Sequence, residues 1–317
     1  MKLFVAGGAG FIGSHVTRHL LADGENEVTV FDNFTSGKEW HLEPVLKNSR
    51  LRIVQGNLRD LDAVTKALAG AERVYHFASN PDIARAMVDP AIDFWEGTYL
   101  TQNLLDGMRV QGVKEIAYAS GSGVYGDCGS LAVTEDHTPM LPISTYGASK
   151  LGCETLIHSY THMFGITARV FRFANVVGPR QTHGVAYDFI RRLRDEPTRL
   201  KILGDGSQSK SYIHVEDIIA AIQYFLKRDT GRYSYYHLAT DDYLTVREIA
   251  DLVVEAMGLK GVAYDFTGGN RGWSGDVPIV RFDLAKVHGA GWQSKRNSRE
   301  AMLDSVRAML TEMPSAK

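Results

Sequence analysis

Three glycines near the start of the chain constrain its fold more than any other feature. Gly7, Gly10 and Gly13 directly follow the apolar run 3–6, and behind them Ile12, Val16 and Leu20 recur at i, i+4, i+8. A strand that turns through spaced glycines into a helix opens a nucleotide-binding βαβ unit. Glycine permits the tight turn and lets a pyrophosphate reach backbone N–H groups at a helix N-terminus. Asp32 closes the second apolar run, nineteen residues after Gly13. A carboxylate there accepts both ribose hydroxyls and repels a 2′-phosphate, so NAD is expected rather than NADP.

Runs 3–6, 27–31, 51–55, 73–77, 115–120 and 168–173 read as strands, several without strict alternation, as buried parallel strands do. Helical stripes fill the gaps near 60–69, 98–111 and 146–164. This alternation predicts an α/β fold, a Rossmann-like doubly wound parallel sheet. After residue 175 the pattern breaks into short elements through 210, then amphipathic helices return at 215–226, 246–257 and 299–310, with the last few residues expected to fray. The expected division is a nucleotide-binding domain of 1–175 plus about 215–240, and a smaller mixed α/β substrate lobe of 176–214 plus about 241–310. With 317 residues, 44% of them hydrophobic, both lobes can hold a core.

Charge excludes other classes. Lys and Arg total 35 against 37 Asp and Glu, and no basic run stands out, so no nucleic-acid partner is expected. No apolar run approaches the roughly 18 residues that span a bilayer. Residues 1–6 are too short for a signal segment, and Cys128 and Cys153 have neither a disulfide framework nor a zinc spacing. A cytoplasmic protein is expected. His15, His19, His158 and His162 fall at helical spacing without a carboxylate or cysteine partner, so no metal site is expected from them.

Tyr146 and Lys150 lie four residues apart, one turn apart on one helix face. Such a pair is more often a surface feature than a catalytic one. Its setting changes that reading, with a nucleotide loop upstream and the Ser120–Ser122 cluster ending a strand. An ammonium beside a phenol favours the phenolate, which serves as a base beside a hydride acceptor.

With these pieces in place the chain resembles the extended short-chain dehydrogenase/reductase family, in its NAD-dependent sugar-nucleotide epimerase/dehydratase branch. The matching segments are GGAGFIGSH (7–15), VFDNFTSGK (30–38), QGNLRD (55–60), YHFAS (75–79), VYG (124–126), YGASK (146–150), RFANVVGPR (172–180), KSYIHVEDI (210–218) and GDVP (275–278). The resemblance implies that Phe11 and Ile12 wrap the pyrophosphate and that Asp32, Asn33, Ser36 and Gly37 hold the adenosine ribose. Asn57 and Leu58 would flank the adenine, Asn57 as an acceptor where the family usually has Asp. Phe77, Ala78 and Ser79 would line the cofactor cleft, Lys150 would reach the nicotinamide ribose, and Tyr146 would be the base. On the substrate side Asn175 would bond the diphosphate, Leu203 would pack on uracil, and Lys210 and Arg271 would neutralise phosphate. The implied reaction is 4-epimerisation of a UDP-sugar, UDP-glucose and UDP-galactose first, in a homodimer paired through the helices near 98–111 and 146–164.

Three positions depart from the family pattern. Gly121 stands where Ser or Thr usually bonds the reacting hydroxyl, so Ser122 is the candidate to replace it, ahead of Ser120 or a water. Glu96-Gly97 replaces a pair of asparagines, and Trp273 takes the place of the diphosphate arginine, with Arg271 two residues earlier. Dehydratases of the branch carry an Asp-Glu pair before VYG, and decarboxylases a Glu; Gly121-Ser122-Gly123 has no carboxylate. Val280 is intermediate in size, which keeps UDP-N-acetylhexosamines open as substrates. UDP-glucuronate as the substrate and a non-catalytic NAD-binding sensor stay open as well.

Overall fold

A computed structural model, which describes residues 1–313, realises the strand–helix alternation as a seven-stranded sheet. Its first six strands in chain order are β1 (Lys2–Ala6), β2 (Glu27–Asp32), β3 (Leu51–Gln55), β4 (Arg73–His76), β5 (Glu115–Gly121) and β6 (Thr167–Phe173). Tyr233–Leu238 forms the edge beyond β6, so the order is Tyr233–Leu238, β6, β5, β4, β1, β2, β3. β1 pairs in parallel with β2 and β4, Val5 standing between Val30 and Tyr75. The edge strand is also parallel to β6, because Ala168 N bonds Arg232 O and Ala174 N bonds Leu238 O. Phe4, Val5, Ala6 and Val74 are fully buried, which explains why these runs lack alternation.

The helices follow from their caps and stripes. They are α1 (Phe11–Ala22), α2 (Glu39–Leu42), α3 (Leu61–Ala67), α4 (Leu100–Gln111) and α5 (Thr145–Phe164). Asp60 caps α3 by accepting from Ala63 N at 3.0 Å. Gly112 and Gly165 end α4 and α5 in the left-handed conformation, φ 73° and 68°. The stripe at 98–111 predicts helix throughout, but its start belongs to a π-helical turn, Phe94–Tyr99, that runs into α4. Leu68, Leu104, Met108, Ile116 and Ile157 form one buried cluster, each contributing about 1.5–3 kcal/mol by leaving water.

Contacts divide the chain into two compact units. The first comprises Met1–Val124, Ser144–Arg172 and Ile219–Tyr236. The second comprises Tyr125–Ile143, Phe173–Ile218 and the chain from His237 onward. In the second unit, helices Val185–Asp195, Val246–Ala256 and Ser298–Glu312 pack Phe189, Ile190, Ile249, Val253, Met302 and Val306 together. Capping boxes open the last two, Thr245 with Glu248 and Asn297 with Glu300. Helix Val185–Asp195 falls where only short elements are expected from sequence. Its buried face, Ala186, Phe189, Ile190 and Leu193, is interleaved with three arginines that obscure it. The expected fraying of the last few residues falls largely outside the described residues.

Candidate active site

The C-terminal ends of β1 and β4 are neighbours although the chain runs through β2 and β3 between them, so their crevice is the topological switch point where ligands bind. From β1 the chain enters the glycine loop, and from β4 it enters Phe77-Ala78-Ser79. Phe77 N and Ala78 N both donate to Ala6 O, at 2.9 and 3.1 Å. A Cβ on Gly7 would lie 2.6 Å from Ala78 N, and one on Gly13 would fall on the Gly7 carbonyl oxygen. Gly10 differs. Only Gly7 O, at 3.3 Å, lies within 4 Å of where its Cβ would be. Gly10 also N-caps α1 with no side-chain bond, and the first turn, with Phe11, Ile12 and Gly13, has no acidic residue. An uncapped helix start opening at a glycine fits a pyrophosphate.

Asp32 stands beside this loop. Its Oδ2 accepts from Ala9 N at 2.9 Å and its Oδ1 from Phe34 N at 2.8 Å. Burial raises its pKa, opposed by those two hydrogen bonds. A carboxylate with one donor on each oxygen can accept more, so the group suits a vicinal diol. The turn with Ser36 and Gly37 packs tightly on it, since a Cβ on Gly37 would lie 2.8 Å from Asp32 Oδ1. Asn33 and Asn57 brace their own backbones, accepting from Thr35 N at 3.0 Å and Arg59 N at 2.9 Å. The acceptor expected of Asn57 therefore closes an Asx turn. Leu58 is buried, and its carbonyl accepts from Asn103 Nδ2 at 3.0 Å.

Helix α5 begins where Ser144 Oγ accepts from Gly147 N at 3.1 Å. Lys150 Nζ donates to Ala119 O at 2.8 Å and lies 5.5 Å from the Tyr146 ring centroid and 5.1 Å from that of Tyr118. The ammonium thus sits between the Tyr146 ring and the end of β5. His76 adds no charge nearby: burial, then Lys150, push its pKa down to about 3, and its Nε2 meets Thr101 Oγ1 at 2.9 Å.

One turn further along α5, the structure reveals a network that the sequence does not announce. Glu154 accepts from Ser120 Oγ at 2.5 Å and from Arg172 Nη2 at 2.7 Å, and Arg172 lies 4.9 Å from the Tyr235 ring centroid. Glu154 falls at i+8 from Tyr146 and i+4 from Lys150, which is the signal that could have found it. Ser120 is thereby turned toward the buried ion pair. Ser122 is half-buried and opens the 3-10 turn Ser122–Tyr125. Asp93 is a second such residue. Its Oδ2 accepts from Thr145 Oγ1 at 2.6 Å, its Oδ1 from Asn80 Nδ2 at 2.9 Å, and its carbonyl from Ser149 Oγ at 2.7 Å. Gly97 leaves room for that Ser149 hydroxyl, while Glu96 pairs with Arg59 at 2.6 Å, which accounts for the Glu96-Gly97 departure.

The second unit gathers the substrate candidates. Lys210 Nζ donates to Asp276 Oδ1 at 2.7 Å. Arg271 donates to Asp276 O at 2.7 Å and to Asp127 Oδ2 at 2.5 Å. Leu203 is 43% exposed and faces Gly272, and Asn175 N donates to Ser211 O at 3.2 Å, next to Lys210. Asn175, Leu203, Lys210 and Arg271 therefore share one neighbourhood, with both cations held by carboxylates. Trp273 folds its ring over Gly275. Arg281, unmarked in the sequence, donates to Ser209 Oγ at 2.9 Å beside the Tyr243 ring. Among the described residues, no group of three or more His, Cys, Asp or Glu is placed to hold a metal ion, and no helix is long and apolar enough to cross a membrane.

Comparisons with known proteins agree with this geometry. Residues 3–238 match the model of the NAD dependent epimerase/dehydratase family. The chain is 30% identical over 281 residues to UDP-glucose 4-epimerase of Corynebacterium glutamicum, covering 81% of each chain. It superposes on a crystal structure of UDP-galactose 4-epimerase with a TM-score of 0.87 at 32% identity, covering 99% of this chain and 100% of the other. For the dTDP-glucose 4,6-dehydratase DesIV of Streptomyces venezuelae, crystallised with NAD, the TM-score is 0.91 at 28% identity, over 98% of both chains. A match over most of the length, on a sheet whose switch point carries the glycine loop and whose fifth strand meets the Tyr146–Lys150 helix, makes this chain a member of the NAD dependent epimerase/dehydratase family.

Proposed function

We propose that the chain is a sugar-nucleotide 4-epimerase that interconverts UDP-glucose and UDP-galactose. One observation carries the reading. Lys150 Nζ, fixed on Ala119 O at 2.8 Å, lies 5.5 Å from the Tyr146 ring, and the turn that follows β5 carries no carboxylate. Bound NAD supplies the hydride acceptor. Tyr146, as the phenolate, takes the proton of the sugar 4-hydroxyl while C4 loses hydride, and Ser122 holds the same oxygen. Lys150 stands beside that phenolate and would reach the nicotinamide ribose. The 4-keto sugar would then turn over, C4 would regain the same hydride on its other face and Tyr146 would return the proton to the oxygen, so there is no net redox change. Loss of water from C5 and C6 would need a further base and acid, which Gly121-Ser122-Gly123 does not supply.

In this reading the first unit binds the cofactor, with the pyrophosphate on Gly7, Gly10, Phe11, Ile12 and Gly13. The second unit binds the sugar nucleotide, Leu203 packing on uracil while Asn175, Lys210 and Arg271 meet the diphosphate. The test is proton NMR of the protein with UDP-glucose, UDP-galactose, their N-acetyl forms and UDP-glucuronate. A new anomeric signal from UDP-glucose or UDP-galactose is expected. Signals only from the N-acetyl sugars or the glucuronate would replace the substrate, and release of water or carbon dioxide would replace the reaction. Tyr146→Phe should lower turnover at least about a hundredfold with NAD still bound; a non-catalytic sensor shows no turnover before mutation.

A further inference from the structure

We infer that His41, which belongs to none of the motifs above, is a positioning residue for the dinucleotide through its hold on the Ala9–Gly10 peptide. The inference rests on the NAD reading of the glycine loop. His41 lies on α2, the single turn that follows the Asp32 loop, and is fully buried with Trp40 against it, ring centroids 4.2 Å apart. Its Nδ1 is 2.7 Å from Ala9 O. A carbonyl only accepts, so Nδ1 carries the hydrogen. The same oxygen accepts from Lys38 N at 3.0 Å, while Ala9 N donates to Asp32 Oδ2 at 2.9 Å and Gly10 N donates to Gly7 O at 3.2 Å. Ala9 is itself fully buried. The peptides on both sides of Ala9 are thus fixed, largely by the segment that runs from Asp32 to His41.

The consequence is electrostatic. The Ala9 carbonyl is turned toward α2, away from the start of α1, where Gly10 offers no side chain. A rotation of that peptide would bring a carbonyl oxygen, the negative end of its dipole, toward the place a pyrophosphate takes at a helix N-terminus. His41 disfavours that rotation by adding a second donor to an oxygen that Lys38 N alone would hold. It also ties the Asp32 loop to the glycine loop, so the two halves of an adenosine diphosphate meet surfaces of fixed spacing.

The experiment is calorimetric titration of NAD⁺, ADP and adenosine into nucleotide-stripped full-length protein, for wild type, His41→Phe and His41→Asn. Phe keeps a ring and removes the donor; Asn places an N–H on the same Cγ branch. His41→Phe should weaken NAD⁺ and ADP about tenfold and leave adenosine unchanged, with His41→Asn near wild type. His41→Leu tests the same loss should the Phe variant not fold. Equal NAD⁺ affinity in wild type and the donor-less variant, equal weakening of adenosine, or no rescue by Asn would overturn the role of His41. A wild type that binds no NAD⁺ overturns the cofactor reading itself.

Discussion

Replacing Glu154 by Gln tests the buried network that fastens α5 to β5 and β6. The side chains of Glu154 and Arg172 are 3% and 4% exposed, with Nη2–Oε2 at 2.7 Å and Nε at 3.1 and 3.2 Å from the two carboxylate oxygens. Gln retains the shape, but it turns one acceptor into a donor facing a guanidinium and removes the carboxylate charge opposite that cation. Removing one partner of a buried pair costs about 3–5 kcal/mol. An unfolding entropy of about 2.1 cal/mol/K per residue gives ~0.7 kcal/mol/K for 317 residues, so the midpoint should fall about 4–7 °C. The control is Glu27→Gln, which breaks a 3.8 Å bridge to Lys2 between side chains more than 60% exposed. That change should move the midpoint by less than about 1.5 °C.

Scanning calorimetry of both variants decides the matter, and Glu154→Met combined with Arg172→Met completes a cycle. Removing both charges leaves neither ion stranded, so the double variant should lose less than the two single variants added together. A Glu154→Gln melt that coincides with the Glu27→Gln melt would refute the claim that this pair is electrostatically coupled in the interior.

Further outcomes follow from the same geometry. Because His76 stays neutral when folded down to about pH 3 while its unfolded form takes a proton near 6.5, acidification across that window favours unfolding, by on the order of 5 kcal/mol at most. Urea midpoints should therefore fall more steeply from pH 6.5 to 4 in wild type than in His76→Asn, and parallel curves would rule out this source. Since burial raises the Asp32 pKa, acid should begin to weaken NAD⁺ binding above the ordinary value of 3.8. Asp32→Asn should remove that acid limb and narrow the preference for NAD⁺ over NADP⁺, both read by titration calorimetry. Val110 on α4 and Met163 on α5 are 61% and 71% exposed, and Phe94 and Trp95 lie close by in sequence to α4. Light scattering should give twice the 35.1 kDa chain mass, and a monomeric mass at micromolar concentration would reject pairing through these helices.

The contrast between what sequence reveals and what it hides here is one of contact range. The six strands and the Tyr146–Lys150 pair are legible because each depends on neighbours within one turn or one apolar run. Gly7, Gly10 and Gly13 are legible for a related reason, since the loop must reverse the chain over a few residues. The Ala9–His41 bond spans 32 positions, the Asp93–Thr145 bond 52 and the Ser120–Glu154 bond 34. No local period marks such partners, and each involves a residue that alone reads as an ordinary polar side chain. Glu154 is the instructive exception, for it shares the i, i+4, i+8 stripe of Tyr146 and Lys150. That stripe carries phenol, ammonium and carboxylate on one helix face, with Lys150 and Glu154 buried and Tyr146 half-buried. The partner of Glu154 lies outside the helix, in Arg172 on β6, 18 positions along the chain. Helical spacing thus places the carboxylate one turn from Lys150, while the arginine that pairs with it comes from a separate strand.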